Sequence, residues 1–230
     1  MNEPTISVIL AVKNGERFIA SAINSVLASD KRPLEIIVVD GNSVDGTERI
    51  AKSFPIVRFV RQVNRGIADA YNLGVESSRG EFIAFISHDD IWEPHKLSTQ
   101  VGYMVRNPLI QYTVTKVRHF LEPGQSIPLG FRKELLEREC VGYIMETLVA
   151  RKSLFDLIGN FDTSYLTAED VDWFARAKDK KIPMAIIPEV LVHKRVHASN
   201  ASLNAKDNDR QLLRAMRQSI KRQIESNTER

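Results

Sequence analysis

Three acidic features of this 230-residue chain have the residue types and spacing to do chemistry. Asp40 follows the apolar run Leu34 to Val39 and precedes Gly41. A carboxylate offers only hydrogen-bond acceptors, and a glycine beside it lets a ligand approach the backbone, so Asp40 suits the donors of a base or a ribose. It suits equally the capping of the turn from Asn42 to Gly46. The second feature, Ser87-His88-Asp89-Asp90, ends another apolar run, Glu81 to Ile86. The third, Glu169-Asp170, precedes Val171, Asp172, Trp173 and Phe174. There a carboxylate in a cleft would take the proton of an attacking hydroxyl, while the plainer reading is an acidic first turn matching the helix dipole.

What is missing narrows the chemistry. The first apolar run leads into Ala11-Val12-Lys13-Asn14-Gly15, which has no Gly-x-Gly-x-x-Gly, and the chain has no Gly-Lys-Ser/Thr loop. Dinucleotide cofactors and kinase-like phosphate transfer lose ground. A diphosphate bound without a glycine-rich cradle needs another partner for its charge, and a divalent cation on oxygen ligands supplies it. Asp89 is the better ligand for that ion, because Asp90 before Ile-Trp-Glu-Pro also suits a helix-capping turn. His88 alone earns no ligand role. On a helix Asp170 and Asp172 point about 200° apart and cannot serve one site, whereas Trp173 shares the face of Asp170 and is placed to wall a pocket.

The elements that carry these residues alternate short apolar runs with amphipathic segments, the pattern of a parallel sheet covered by helices. Strands are expected at Ile6 to Val12, Leu34 to Val39, Ile56 to Val60 and Glu81 to Ile86. Phe18, Ile19, Ala22, Ile23, Val26 and Leu27 share one helical face, and Ala68, Tyr71, Asn72 and Val75 mark a later crossover. A helix from about Pro94 to Arg106 and a strand near Gln111 to Phe120 follow. Then come a loop at 122–128, an apolar segment near Ile144 to Ala150, helices at Lys152 to Ile158 and Ala168 to Lys178, and an extended run from Met184 to Val196. In open α/β sheets ligands lie outside the carboxyl ends of the strands, where Asp40 and the Ser87–Asp90 run fall.

Composition sets the outer limits. Apolar residues make up 43% and charged residues 27%, with no apolar stretch near the about 20 residues of a membrane-spanning helix, so a soluble globular protein is expected. The N-terminal residues Met1 to Thr5 lack a secretory pattern, which points to the cytoplasm. Cys140 is the sole cysteine, excluding an internal disulfide and a cysteine-based metal cluster. A net charge of +3 does not call for nucleic acid. Near the C-terminus Arg210, Arg214, Arg217 and Lys221 recur at helical spacing opposite Leu212, Met216, Ile220 and Ile224. Packing of that helix on the body or on a second subunit is the favoured expectation; a peripheral position on an anionic membrane is the other.

Four runs together resemble family 2 glycosyltransferases: Ser7-Val8-Ile9-Leu10 with Asn14-Gly15-Glu16, Ile37 through Thr47, Gly66 through Gly74, and Ala168-Glu169-Asp170-Val171-Asp172-Trp173. The resemblance spans Thr5 to Ser202. It implies a GT-A fold over residues 1–205, mostly parallel in its sheet, with a nucleotide-binding half (1–120), an acceptor-binding half (121–205) and an appended basic helix (206–230). It also implies inverting transfer from a nucleotide-diphospho-sugar, most often a UDP-sugar, to a glycan, lipid-linked or peptide acceptor. By matching position Asp40 reads the nucleobase, Asp69 lines the nucleotide and sugar site, and Asp170 is the general base with Glu169 beside it. Asp89 holds Mn²⁺ or Mg²⁺ against the diphosphate, and Arg195 and His197 resemble an Arg-x-His element near it. Ser87 departs from the family, which has aspartate there; a hydroxyl is a poorer, uncharged ligand for the cation and alters contacts to the ribose.

Two rivals stand beside this reading. A nucleotidyltransferase would carry a glycine-rich basic loop after the first strand, where only Lys13 is available. An inactive nucleotide-sugar-binding protein of the same fold has Ser87 as its one supporting feature.

Overall fold

The computed structural model describes residues 3–200, 203 and 205–228. Met1, Asn2, Ser202 and the last two residues of the segment read as a C-terminal helix lie outside the described residues. The first three strands, β1 (Ile6–Val12), β2 (Glu35–Asp40) and β3 (Val57–Arg61), pair in parallel, and β4 (Phe82–Ser87) lies parallel to β1 on its other side. Helices α1 (Ile19–Leu27), α2 (Thr47–Lys52) and α3 (Ile67–Ser77) make the crossovers. The order β3-β2-β1-β4 reverses direction beside β1, and such a reversal opens a crevice at the carboxyl ends of the strands.

β1, β2 and most of β4 are buried on both faces, which explains their unbroken apolar runs. Val8, Leu10 and Val12 pack with Ile19, Ile23 and Val26 of α1. Ile9, Ala11, Ile37 and Val39 face Ala68, Tyr71 and Val75 of α3. Gly74 lets α3 sit on the sheet, because a Cβ there would come within 2.5 Å of the Ile9 side chain. At the amino ends of the strands the buried Glu35 accepts hydrogen bonds from Ser7 Oγ (2.7 Å) and from the backbone N–H of Arg79 (2.8 Å). Burial would raise its pKa, but those bonds and the Arg79 charge hold it below the usual value.

Beyond β4 the sheet continues through β8 (Val149–Arg151), β6 (Tyr112–Phe120), β9 (Met184–Arg195) and the short β5 (Ile91–Trp92), with β7 (Glu139–Val141) on β6. α4 (Lys96–Arg106), α5 (Ser153–Ile158) and α6 (Glu169–Asp179) flank it, and α7 (Ala205–Thr228) closes the chain. The expected α/β architecture, a mostly parallel sheet with helices on both faces and a C-terminal helix, is present. Among the described residues no helix is long and apolar enough to cross a membrane.

Local expectations are corrected at four places. Pro94 does not open α4: β5 pairs with β9, the Glu93 N–H reaches the Leu191 carbonyl, and the helix begins only after the turn closed by Lys96 N–H on the Glu93 carbonyl. Asp90 caps no helix, because its carboxylate is taken up by β9. Trp173 walls no pocket; it is 0% exposed and stacks among Phe155, Phe161 and Tyr112 in the core. α7 does pack on the body, as expected of the helix, but not through its apolar stripe. α7 docks through the buried Ala215 and a polar face, with Ser219 Oγ and Arg222 Nε donating to Asp179 at 2.8 Å and Arg214 lying over the Tyr165 ring. Leu212, Met216, Ile220 and Ile224 stay 37–61% exposed.

Candidate active site

Strand register brings the first two acidic features to one level. Val12 of β1 faces Asp40, and the neighbouring Ala11 faces Ser87, so the two residues flank β1 about 10 Å apart, two strand spacings. Asp40 is 0% exposed; Oδ2 accepts the Ser43 N–H at 3.1 Å, and Oδ1 is buried with no partner. A buried acceptor left open costs free energy unless a ligand supplies the donor. Gly41 beside it keeps the approach open, and Gln62, which the sequence reading passed over, closes the wall. Gln62 Nε2 donates to Asp69 Oδ2 at 3.0 Å, and Asn64 Nδ2 donates to the other Asp69 oxygen at 3.0 Å. Asp69 is thereby fixed beside Gln62, whose backbone N–H donates to the Asp40 carbonyl at 2.9 Å.

On the other side of β1 the acidic run meets the end of β9. Asp89 Oδ2 lies 2.9 Å from His197 Nε2 and accepts from Asn200 Nδ2 at 3.2 Å. With Nε2 donating to Asp89, the other ring nitrogen of His197 accepts from Ser199 Oγ, 2.9 Å away. Burial would raise the Asp89 pKa, but the His197 hydrogen bond and the charges of His88 and Lys194 bring it to about 2. Arg195 is 3% exposed: Nε donates to the Asp89 carbonyl at 2.8 Å, Nη1 pairs with Glu122, and the guanidinium lies over the rings of Phe18 and Phe120. It therefore orients the Asp89 backbone instead of reaching freely into the crevice.

Two charged residues the sequence reading missed tie this centre together. Asp90 Oδ1 accepts the Arg195 N–H at 2.9 Å, and its other oxygen accepts from Lys194 Nζ at 3.3 Å. Lys194 also donates to Glu146 Oε1 at 2.9 Å, and Ser87 Oγ donates to the same oxygen at 2.5 Å. Burial would lower the Lys194 pKa, but Asp90 and Glu146 raise it above its ordinary value and keep the ammonium charged. Glu146 stands on a 3₁₀ turn, Met145–Thr147, inside the apolar segment 144–150. A lone acid in such a run was a signal, since buried carboxylates are rare unless paired.

The Glu169-Asp170 pair opens α6 and turns toward the same acids. Asp170 Oδ1 accepts the Val171 N–H at 2.7 Å, while Glu169 Oε2 is buried without a partner. Burial pushes Asp170 up to about 7, helped by the charge of Glu146, and pushes Glu169 up to about 8, helped by Asp170. The phenol of Tyr71 on α3 is raised first by burial and then by the charges of Glu146, Glu169, Asp170 and Asp90, so all four acids act on it. Asp172 points the other way, to Arg176 at 2.7 Å, as the helical angle predicts.

The residues present suit a divalent cation shared with a ligand. Among the described residues no three His, Cys, Asp or Glu side chains gather closely enough to hold a metal ion by themselves. Asp89 and His197 converge as a pair, an oxygen and a nitrogen donor, and hard divalent cations commonly take their remaining ligands from diphosphate oxygens and water.

Comparison with known proteins identifies the family and the fold. The sequence profile described as glycosyl transferase family 2 matches residues 7–160. An uncharacterized glycosyltransferase of Rickettsia typhi is 32% identical over 222 residues, covering 87% of this chain and 68% of its own length. Among solved structures, S. aureus TarS 1-349 in complex with UDP-GlcNAc superposes with a TM-score of 0.74 at 18% identity, over 95% of this chain and 66% of its own. The mannosyltransferase PcManGT from Pyrobaculum calidifontis, in complex with GDP-Man and Mn²⁺, gives 0.71 at 18% identity, over 96% and 65%. At such identities the structures establish the shared GT-A fold, and the profile match over more than half of the chain establishes that it belongs to glycosyl transferase family 2.

Proposed function

We propose that the chain transfers a sugar from a nucleotide-diphospho-sugar, a UDP-sugar first among the candidates, to a hydroxyl of a glycan, lipid-linked or peptide acceptor, with inversion at the anomeric carbon. The observation that carries this reading is the unpartnered, fully buried Oδ1 of Asp40 at the carboxyl edge of the sheet, the edge at which β4 delivers the run leading to Asp89. Asp40 accepts a hydrogen bond from the base, and Asp69 lines the pocket beside it. The nucleotide half (1–120) meets the acceptor half (121–205) across the crevice.

Asp89 and His197 are the residues that would hold Mn²⁺ or Mg²⁺, which would supply positive charge against the departing diphosphate. Arg195 and Asn200 keep Asp89 in place through its carbonyl and its carboxylate. Asp170 takes the proton of the acceptor hydroxyl at its carboxylate as the glycosidic centre becomes oxocarbenium-like, and attack from the face opposite the leaving group inverts it. Glu169 lies beside Asp170 to orient the acceptor.

The test is a melting series with UDP, GDP and the corresponding nucleotide sugars, with and without Mn²⁺, followed by transfer assays. A ligand at 100 times its Kd stabilises by about 2.7 kcal/mol, roughly 5–10 °C for a chain of this size. Transfer that survives verified removal of divalent metal would count against the cation. Failure of every nucleotide to raise the melting temperature would sink the reading.

The outward face of α7 supports contact with an anionic membrane surface. Leu213, Met216 and Ile220 are 54–58% exposed, and Arg210 and Arg217 stand one turn from Leu213 and Ile220 along the same flank. An apolar stripe rimmed by cations fits acidic headgroups better than a second copy bearing the same positive charge. Sedimentation with vesicles containing phosphatidylglycerol, but not with phosphatidylcholine alone, is the expected outcome. Dimerisation in solution without vesicle binding would assign the face to a second copy instead.

A further inference from the structure

Ser87 reads from sequence as a loss at the donor site, but its surroundings indicate a displacement of charge. Its hydroxyl donates to Glu146 Oε1 at 2.5 Å, and Glu146 is only 7% exposed. The position of Glu146 is built by the fold. Thr147 Oγ1 shares its one proton between the carbonyls of Gly142 (2.6 Å) and Ile144 (2.9 Å), and Gln100 Nε2 donates to the Thr147 carbonyl at 2.9 Å. The 3₁₀ turn is thereby pinned, with its acid aimed at the end of β4.

Residues 87 and 146 cannot both be ionised acids in this arrangement without cost. A carboxylate at 87 would face Glu146 across hydrogen-bond distance, and two ionised carboxylates have only acceptors to offer each other. Serine supplies the missing donor. Among the described residues Lys194 bonds both Asp90 and Glu146, so Glu146 shares its ammonium with a second buried acid. Burial pushes Asp90 up to about 7, which leaves Glu146 as the acid that Lys194 and Ser87 both hold in place.

We propose that Glu146 supplies the donor site with the carboxylate that residue 87 lacks, held in place by Ser87 and Lys194. This rests on the nucleotide-sugar reading above. Glu146 is then a donor-site residue of this chain, accepting hydrogen bonds from a hydroxyl of the bound nucleotide sugar or from the water around its cation. Because the acid arrives from the turn before β8 and not from β4, it also lies close enough to the Glu169-Asp170 pair for its charge to be felt there. Donor and acceptor ends of the crevice thus share one carboxylate.

The experiment is a double-mutant cycle of S87D, E146Q and S87D/E146Q, read by calorimetric binding of UDP with and without Mn²⁺ and by kcat/KM, with melting curves on each variant. E146Q should weaken UDP–Mn²⁺ binding by about tenfold or more, the worth of one charge-assisted hydrogen bond. S87D should also weaken it, by crowding two acids together. The double variant, with the acid moved back to 87, should return to within about threefold of wild type, a coupling that independent sites do not show. A double variant as weak as the two losses combined overturns the proposal. If E146Q alone fails to fold but S87D/E146Q folds and binds, the rescue supports it; if neither folds, Glu146 is structural and the proposal falls. Wild-type protein that binds neither UDP nor GDP overturns the nucleotide-sugar reading and this inference with it, whereas UDP binding without rescue removes only the inference.

Discussion

Asp170→Asn separates the chemistry of α6 from its packing. Asparagine keeps the shape and can still accept the Val171 N–H, which Asp170 Oδ1 receives at 2.7 Å, while it can no longer take a proton. The groups facing Asp170 are Glu169 on its own helix, Glu146 on the 3₁₀ turn, Lys194 on β9 and the Tyr71 phenol on α3. Loss of a general base costs about 10²–10⁴ in rate, so kcat should fall by that much while UDP binding stays within about twofold. In the wild type Asp170 is raised from 3.8 to about 7, and it must be ionised to act. Activity should therefore rise about tenfold per pH unit below 7 and level off above about 8, where Glu169 has also lost its proton.

The same shift has a stability consequence of opposite sign. A carboxyl raised in the folded state binds its proton more tightly than in the unfolded chain, so folding weakens as pH rises from about 4 to 7. The rise from 3.8 to about 7 sets an upper bound of about 4 kcal/mol, fully felt above pH 7 and under about 1 kcal/mol at pH 4. D170N removes that cost. Its melting temperature should exceed wild type by several degrees, up to about 10 °C, at pH 8, and by little at pH 4. A variant that retains more than about a tenth of wild-type kcat/KM would refute the base assignment. A melting gain equal at both pH values would refute the buried-charge argument.

Two further perturbations probe the other ends of the sheet. In Asp40→Asn the Ser43 N–H holds the amide oxygen at the Oδ2 position, so the NH₂ group replaces the open acceptor and faces the ligand; UDP affinity should fall about 10–100-fold with the fold intact, as calorimetry and melting curves will register. Glu35→Gln should lower stability by about 1–3 kcal/mol at pH 7, because it takes the charge from a buried acceptor of the Ser7 and Arg79 bonds. Since the Glu35 pKa is held below 4.5, its contribution is present above that value and fades as pH falls through the folded pKa, so denaturation of the two proteins should converge in acid.

The strands and crossovers of the first half were legible because each is a local pattern: a fully buried strand reads as an unbroken apolar run, and each covering helix keeps its own period. Asp40, Asp89 and Asp170 stood out as candidates at strand ends and a helix start, and the roles expected of them came from the family resemblance. Where local pattern yielded, a partner from far along the chain had intervened. Asp90 looked like a helix cap until β9 supplied Lys194 and the Arg195 amide. Trp173 shared a helical face with Asp170, but three aromatic rings from other elements drew it into the core.

The C-terminal helix shows the limit of periodicity most clearly. A hydrophobic stripe selects the buried face only when the body offers an apolar surface to receive it. The surface available here carries Asp179, Asp162 and the Ser164 oxygens, so the arginines and serine of α7 turned inward and left the stripe outside. Ser87 gains its context in a related way. A residue type judged against a family pattern shows what is gone from one position, whereas charge in a crevice is a property of every side chain that reaches it. Glu146 lies 59 residues away in sequence and one hydrogen bond away in space, and only the fold could join them.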